Sequence, residues 1–258
     1  MASQCTILIT RSGAAGQQLA ARLEQPRQTV IHYAPVRLDA MPDPDQTRRQ
    51  LRACLPVDVL VMPSAEAVRR LVELLTPAEL DASVVVVPGP GTAEVARRSG
   101  FQAVRFPERI GNSEEILQLP DLQGVAGARV LIAAAAGGRN LIAKRLRQRG
   151  ATVFKPEVYQ RIATPPTSEQ SDRILAATCL YTLVASGGAL LGLQQHLPPS
   201  CWGFIAEQPM IVPSPRVAAM AEAAECVDVT VADAADNEAM IAALARVCPS
   251  LATISYPV

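Results

Sequence analysis

Histidine and aromatic residues are scarce: the sequence has two histidines, His32 and His196, and aromatics make up 3% of it. Two histidines leave little material for a multi-histidine metal site or a histidine-centred relay. Neither sign of charge is in excess, because 24 basic and 24 acidic residues cancel at pH 7. A general nucleic-acid binder draws most of its affinity from neutralising phosphates, so the missing basic surplus argues against that class. No C-x-x-C pair occurs, and the six cysteines are dispersed along the chain. They read as reduced, mostly buried thiols, and no metal site is expected. No apolar run approaches the length of a membrane span. At the amino terminus Ile7-Leu8-Ile9 is too short for a signal-peptide core and meets Arg11 at once. The expectation is a cytoplasmic protein that binds neither membrane nor nucleic acid. No heptad repeat or basic stripe points to an obligate partner, so a monomer is expected.

What is present is a chain of 258 residues, 49% hydrophobic, too apolar for disorder and long enough for one large or two small cores. One unit keeps returning along it: a short apolar run, a turn of small residues, then a helical pattern. Thr6 to Thr10 leads through Arg11-Ser12-Gly13 into a helix expected to bury Ala15, Leu19 and Leu23. Val59 to Met62 leads through Pro63-Ser64 into Val68, Leu71, Val72 and Leu75 at helical spacing. Val84 to Val87 is followed by Pro88-Gly89-Pro90-Gly91-Thr92, and Val130 to Ile132 by a run of alanines ending at Gly137-Gly138. Leu180 to Val184 leads into Ala185-Ser186-Gly187-Gly188, and Ile211-Val212 into Pro213-Ser214-Pro215. Continuous apolar strands alternating with amphipathic helices predict an α/β fold of doubly wound parallel sheets, flavodoxin-like or Rossmann-like. Gly100 and Gly150 fit left-handed helix caps after basic last turns. Trp202 and a strand around Phe204 read as core. The histidines and cysteines read as structural.

Two proline-flanked stretches break the rhythm, at 37–44 and 155–165, and suit extended linkers. They bracket an inserted α/β domain at 45–154, leaving 1–36 and 166–258 as a discontinuous α/β domain. In such sheets ligands sit outside the carboxyl ends of the strands, where helix amino termini present free amides and a favourable dipole to anions. Six such turns, lining a cleft between two domains, would suit a ligand with several carboxylates or phosphates. A dinucleotide site is not expected: Gly89-Pro90-Gly91-Thr92-Ala93-Glu94 has Glu where the third glycine of G-x-G-x-x-G belongs, and no P-loop motif occurs.

The ordered set of motifs resembles the uroporphyrinogen-III synthase family. It comprises Leu8-Ile9-Thr10-Arg11, Pro35, Ser64 with Ala67-Val68, and Gly89-Pro90-Gly91-Thr92-Ala93. Farther along come Ser113-Glu114, Gly138-Arg139-Asn140-Leu141, Val158-Tyr159-Gln160-Arg161, Ala185-Ser186 and Ser214-Pro215-Arg216. The family's T-S-x-N-A-V turn stands here as Pro63-Ser64-Ala65-Glu66-Ala67-Val68. The resemblance implies a cofactor-free enzyme that closes hydroxymethylbilane, a linear tetrapyrrole with eight carboxylates, into a macrocycle. Water is lost, ring D is inverted, and an azafulvene cation and a spiro-pyrrolenine lie on the route. It implies Tyr159 as a catalytic proton donor. Substrate contacts are implied at Thr10, Arg11, Ser64, Ala65, Gly89, Thr92, Gly138, Arg139, Ser186, Gly187, Ser214 and Arg216. It also implies transient contact with the enzyme that precedes it. The residues alone equally suit a non-enzymatic two-domain protein that binds an anionic small molecule, or a phosphosugar enzyme on a similar fold.

Overall fold

The computed structural model describes residues 5–26, 28–108 and 113–248. The chain divides into two compact units, Met1–Arg37 with Ile162–Val258 (unit 1) and Leu38–Arg161 (unit 2). Unit 1 starts with β1 (Cys5–Ile9), α1 (Gly13–Leu23) and β2 (Gln28–His32), and β3 (Val36–Ala40) carries the first crossing. Unit 2 continues with α2 (Pro44–Cys54), β4 (Val59–Val61), α3 (Ala65–Leu74), α4 (Pro77–Leu80) and β5 (Val84–Val86). Next come α5 (Pro90–Arg98), β6 (Val104–Arg105), α6 (Ser113–Ile116), β7 (Arg129–Ile132) and β8 (Ala134–Ala135). It ends with α7 (Leu141–Gln148) and β9 (Thr152–Phe154), and β10 (Glu157–Ala163) carries the return. Unit 1 is completed by α8 (Ser168–Leu175), β11 (Leu180–Leu183), α9 (Gly187–His196) and α10 (Pro199–Ala206). The last described elements are β12 (Met210–Val212), α11 (Pro215–Ala223), β13 (Val229–Val231) and α12 (Asn237–Val247). The tail after Cys248 lies outside the described residues.

The fold is α/β with parallel sheets, as the pattern requires. Unit 1 orders its strands β2-β1-β11-β12-β13, and unit 2 orders its own β6-β5-β4-β7-β9, every neighbouring pair parallel. Numbered within each sheet, these are 2-1-3-4-5, the flavodoxin-like order, and 3-2-1-4-5, the Rossmann order without its sixth strand. Both faces of each sheet are covered. Leu8 packs into one core of unit 1 while Ile7 and Ile9 pack into the other. Leu60 and Met62 likewise face one core of unit 2, and Val59 and Val61 the opposite one. Successive side chains of a strand point to opposite faces, so an unbroken apolar run is what a sheet sandwiched between helix layers needs.

Helix ends follow the expected chemistry. Gly100 and Gly150 take φ of +98° and +86° just after α5 and α7, whose last turns are basic. Three local expectations are corrected. Ala15 is exposed, and α1 buries Gly16, Leu19 and Leu23 instead, because the helix starts at Gly13 and turns that face toward β1 and β2. The segment around Phe204 is helix α10, not a strand; Trp202 and Phe204 are half-buried against the core while Cys201 and Ile205 fill it. The alanine run after β7 is not merely a turn, since Ala134 and Ala135 form β8.

The crossings meet in a three-stranded sheet ordered β3-β10-β8. On unit 1, Thr164 donates its amide to the Pro35 carbonyl (3.0 Å) and accepts from the buried Tyr33 hydroxyl (3.0 Å). Burial pushes the Tyr33 phenol up to about 12. Helix α9 comes close to this root, and a Cβ on Gly192 would lie 3.0 Å from Pro35.

One surface device in unit 2 makes stability depend on acid. At α4, Glu79 accepts from the Thr76 amide (2.9 Å) and hydroxyl, the Thr76 hydroxyl caps the Glu79 amide, and Arg52 bonds the carboxylate (2.8 Å). The Thr76 amide first, then Arg52 and the Thr76 hydroxyl, hold Glu79 down to about 2, against 4.5 for the unperturbed group. A lowered folded-state value means that the ionised form favours folding. That contribution is complete above about pH 4.5 and is lost as pH falls toward about 2. Urea midpoints measured across this window should show native protein above Glu79→Gln at pH 5, with the gap closing as pH approaches 2.

Candidate functional site

In each unit the strand order reverses at one place, and a crevice opens there between turns leading to opposite sides of the sheet. In unit 1 the reversal falls between β1 and β11, so the Thr10–Ser12 and Ala185–Gly187 turns are neighbours. Thr10 is buried; its hydroxyl donates to the Leu183 carbonyl (3.0 Å) and accepts from the Ala185 amide (2.9 Å). Its side chain therefore pins the two strand ends together, and the hydroxyl is spent on backbone. Ser186 caps α9 by accepting from the Ala189 amide (3.2 Å). Ser214 stands at the start of α11 without capping it. A Cβ on Gly187 would lie 2.9 Å from the Met220 sulfur and 3.5 Å from an Arg216 nitrogen, so the turns after β11 and β12 adjoin.

Arg11 is half-buried and donates to the Ala235 carbonyl, on the turn after β13. Burial lowers its pKa, partly offset by the Asp236 carboxylate, and its buried Nε has no partner among the described residues. The Arg11 carbonyl in turn accepts from His32 Nε2 at 2.7 Å. His32 thus supports this turn, a role that its residue type alone did not reveal.

In unit 2 the reversal falls between β4 and β7, which brings together the Pro63–Ala65 turn and the alanine run. Ser64 caps α3 by accepting from the Ala67 amide (3.1 Å), and its Oγ lies 3.2 Å from the Tyr159 hydroxyl. Tyr159 reaches it from β10, 95 residues away in sequence. Its ring is 3% exposed and packs in the core with Ala67, Ala133 and Ala135, while Arg161 stacks over it at 5.8 Å. Ala65 opens α3; Gly89 is buried at the start of α5, and Thr92 is half-buried in its first turn.

The Gly137–Asn140 turn is already furnished by the returning strand. The Gly137 amide donates to Glu157 Oε1 (2.9 Å), and Lys155 donates to the Gly138 carbonyl (2.7 Å) and to Asn140 Oδ1 (2.5 Å). Gly138 is needed there, since a Cβ would come within 2.9 Å of the Ala135 carbonyl. Arg139 is exposed. Lys155 and Glu157 read in sequence only as linker; their lysine and carboxylate flanking Pro156 were the one signal of a role. Both also line a groove of about 570 Å³ beside α2, which contains none of the expected site residues.

The helix starts also differ in charge. The first turns of α1, α5, α7, α9 and α11, and also of α10, which follows no candidate turn, hold no acidic residue. Those of α2, α3, α4, α6, α8 and α12 each hold at least one. An acid in the first turn compensates the helix dipole; without one, the positive end is left for an external anion. In α3 the exception, Glu66, is engaged by Arg69 and Arg70. Among the described residues no group of three or more His, Cys, Asp or Glu is placed to hold a metal ion.

Comparisons with known proteins agree across the chain. A family model described as uroporphyrinogen-III synthase HemD matches residues 17–242. The uroporphyrinogen-III synthase of Escherichia coli K12 is 33% identical over 248 residues, covering 93% of this chain and 99% of the relative. That of Salmonella typhimurium LT2 is 36% identical over 148 residues, 57% of this chain and 60% of the relative. A crystal structure of a mutant uroporphyrinogen III synthase from the extremely thermophilic bacterium Thermus thermophilus superposes with a TM-score of 0.67 at 17% identity, covering 95% of this chain and 99% of that one. The Helicobacter pylori 26695 structure gives 0.58 at 15%, covering 92% and 96%.

Two glycines at the unit 1 turns should respond oppositely to the same small change. A Cβ on Gly16 would fall 1.8 Å from the Arg11 carbonyl oxygen, a backbone atom that cannot retreat without moving the turn. Gly16→Ala should therefore cost roughly 1–3 kcal/mol or more of stability in a urea titration. Gly187→Ala meets only the flexible end of Met220 and should leave the midpoint nearly unchanged.

Proposed function

The chain belongs to the uroporphyrinogen-III synthase family, and from that membership we propose which of its residues carry the reaction. The enzyme cyclises hydroxymethylbilane to uroporphyrinogen III. The substrate supplies its own reactivity through electron-rich pyrroles, so the protein's task is to hold the chain for closure with ring D inverted and to stabilise developing positive charge. Neutral backbone amides at the acid-free helix starts bind the carboxylates, with Ser186, Gly187, Ser214 and Arg216 in unit 1, and Gly89, Thr92, Gly138 and Arg139 in unit 2; Ala65 adds to them at the start of α3, where Glu66 is engaged by Arg69 and Arg70. Arg11, anchored on Ala235, holds its turn and offers the remaining face of its guanidinium.

The observation that carries the site assignment is the Ser64–Tyr159 hydroxyl pair at the reversal point of the unit 2 sheet. Ser64 Oγ already accepts from the Ala67 amide, so its own proton is available to Tyr159. The Tyr159 proton is then free to meet the departing hydroxyl of the substrate. The carbon–oxygen bond breaks, the oxygen leaves as water with that proton, and positive charge remains on the terminal pyrrole as the azafulvene cation. The ring D carbon that bears the ring C bridge attacks the cation to give the spiro-pyrrolenine; the old bridge bond then breaks and re-forms at the free α-carbon of ring D, whose proton is lost, so the macrocycle closes with ring D inverted and the proton is returned. The reading includes a cytoplasmic monomer that meets the preceding enzyme only transiently.

Tyr159→Phe removes one oxygen and leaves the core ring in place. It should lower kcat by about a hundredfold with little change in KM. Ser64→Ala should lower kcat less, and cost about 1 kcal/mol of stability through the lost cap. Freshly prepared hydroxymethylbilane, with type I and type III products separated after oxidation, is the assay. Unchanged turnover by Tyr159→Phe would remove the phenol from the mechanism, and formation of type I alone by native protein would remove the activity.

A further inference from the structure

The zero net charge is a cancellation between the two units. Unit 1 has 7 basic and 10 acidic residues, and unit 2 has 17 and 14, so they carry −3 and +3. The imbalance is sharper locally. From Arg129 to Arg161 there are eight Lys and Arg residues and one acid, Glu157.

Ion pairing separates this stretch from the remaining cations. Many arginines elsewhere are paired with carboxylates, as Arg48 is with Asp45, Arg52 with Glu79, Arg70 with Glu66 and Arg98 with Glu94, although Arg11, Arg173 and Arg216 bond neutral groups. Among the described residues none of the eight between 129 and 161 is in an ion pair. Three are held by neutral carbonyls: the half-buried Arg129 by Cys54 and Pro56 and Arg149 by Leu117 and Leu122, and the exposed Arg147 by Val153. A carbonyl satisfies the N–H groups but leaves the full positive charge in place. Arg139 and Lys144 stand exposed with no side-chain partner, and Arg145 bonds only the neutral Gln148. The one acid within the stretch, Glu157, is turned onto the Gly137 amide, and Glu114 of α6 lines a groove with Arg145 and Arg149 without an ion pair to either among the described residues.

We propose that this unpaired cationic stretch, presented to solvent by Arg139 and the exposed face of α7, captures the polycarboxylate substrate from solution and so raises the rate at which it reaches the site. The proposal rests on the activity assigned above. Uncompensated charges of one sign raise the local concentration and association rate of an oppositely charged ligand by about 10- to 1,000-fold, with a steep dependence on salt. Hydroxymethylbilane closes by itself to the non-inverted isomer, so capture speed decides how much substrate is rescued for the inverted product. A neutral overall chain thereby gains local attraction for a polyanion without becoming a polycation.

The test measures kcat/KM for free, freshly prepared hydroxymethylbilane between about 0.01 and 0.15 M ionic strength, where the screening length falls from about 30 to 8 Å. Lys144→Gln with Arg145→Gln, and Lys144→Glu with Arg145→Glu, grade the charge at exposed positions outside the binding turns. Native kcat/KM should fall steeply with salt. The Glu pair should lower it about tenfold or more at low salt, the Gln pair by an intermediate factor, with kcat and melting temperature unchanged. All three should converge at high salt, and the type I fraction at limiting enzyme should rise in the order native, Gln, Glu. A salt-independent native kcat/KM, or variants equal to native at low salt, would overturn the proposal. So would a loss seen only when the preceding enzyme makes the bilane in situ, which would make α7 a protein contact instead. Failure of native protein to form type III at any salt would strike the assigned activity, an outcome distinct from these.

Discussion

A strand inside a sheet must satisfy its backbone on both sides, and for β10 that requirement joins the crossing to the candidate site. Its seven residues run from Glu157 to Ala163, across the boundary between the units. Its neighbours in the sheet are β3, the other crossing strand, and the alanine run of β8. The Ala134 amide donates to Pro156 (3.0 Å) and the Ala136 amide to Tyr159 (2.7 Å), with a register shift between Glu157 and Tyr159. These bonds fix where the Tyr159 ring enters the core, and therefore where its hydroxyl meets Ser64. They also set Glu157 against the Gly137 amide. The crossing and the candidate site are thus one hydrogen-bonded object, and the alanines are small because the two backbones must close over a buried tyrosine.

The chemistry assigned to this enzyme asks unusually little of ionisable side chains, and the structure is organised accordingly. The binding groups proposed are backbone amides at turns whose helices, α3 apart, begin without an acid. Hydroxyls at the same turns are divided between tasks. Thr10 is consumed in joining two strands, Ser64 and Ser186 cap helices, and Ser214 leaves its helix uncapped. The scarcity of histidine fits a reaction in which the substrate is both nucleophile and electrophile, and the protein mainly decides which carbon meets which.

Much of the fold is legible in the sequence because its signals are local. Apolar triplets such as Val59-Leu60-Val61, small-residue turns, and glycines after Arg98-Ser99 and Arg149 each report on a few neighbouring residues. What escaped is what depends on distant partners. Ala134 and Ala135 have low strand preference and become β8 only because β10 lies beside them. Phe204 sits in an apolar stretch too short for periodicity to distinguish strand from helix; Pro199 at the helix start and packing against α8 and α9 decide for helix. Within the candidate site the turns could be read, since a turn is local chemistry. The Ser64–Tyr159 pair, the buried Arg11 and the support from His32 and Glu157 could not, since each joins segments that only the folded topology brings together.

The order of strands in unit 1 also has a consequence during synthesis. β1 is an inner strand, bonded to β2 on one side and to β11 on the other, and Thr10 bonds Leu183 across 173 residues of chain. At about 5–20 residues per second, the ribosome needs roughly 10–35 s to deliver that partner. In that interval all of unit 2 can emerge and fold as a continuous piece, while the Ile7-Leu8-Ile9 edge waits unpaired. β1, made well before its second partner, is therefore among the last strands to be sheltered. A holdase that covers short apolar strands would act on this protein at β1, well before any mature surface exists.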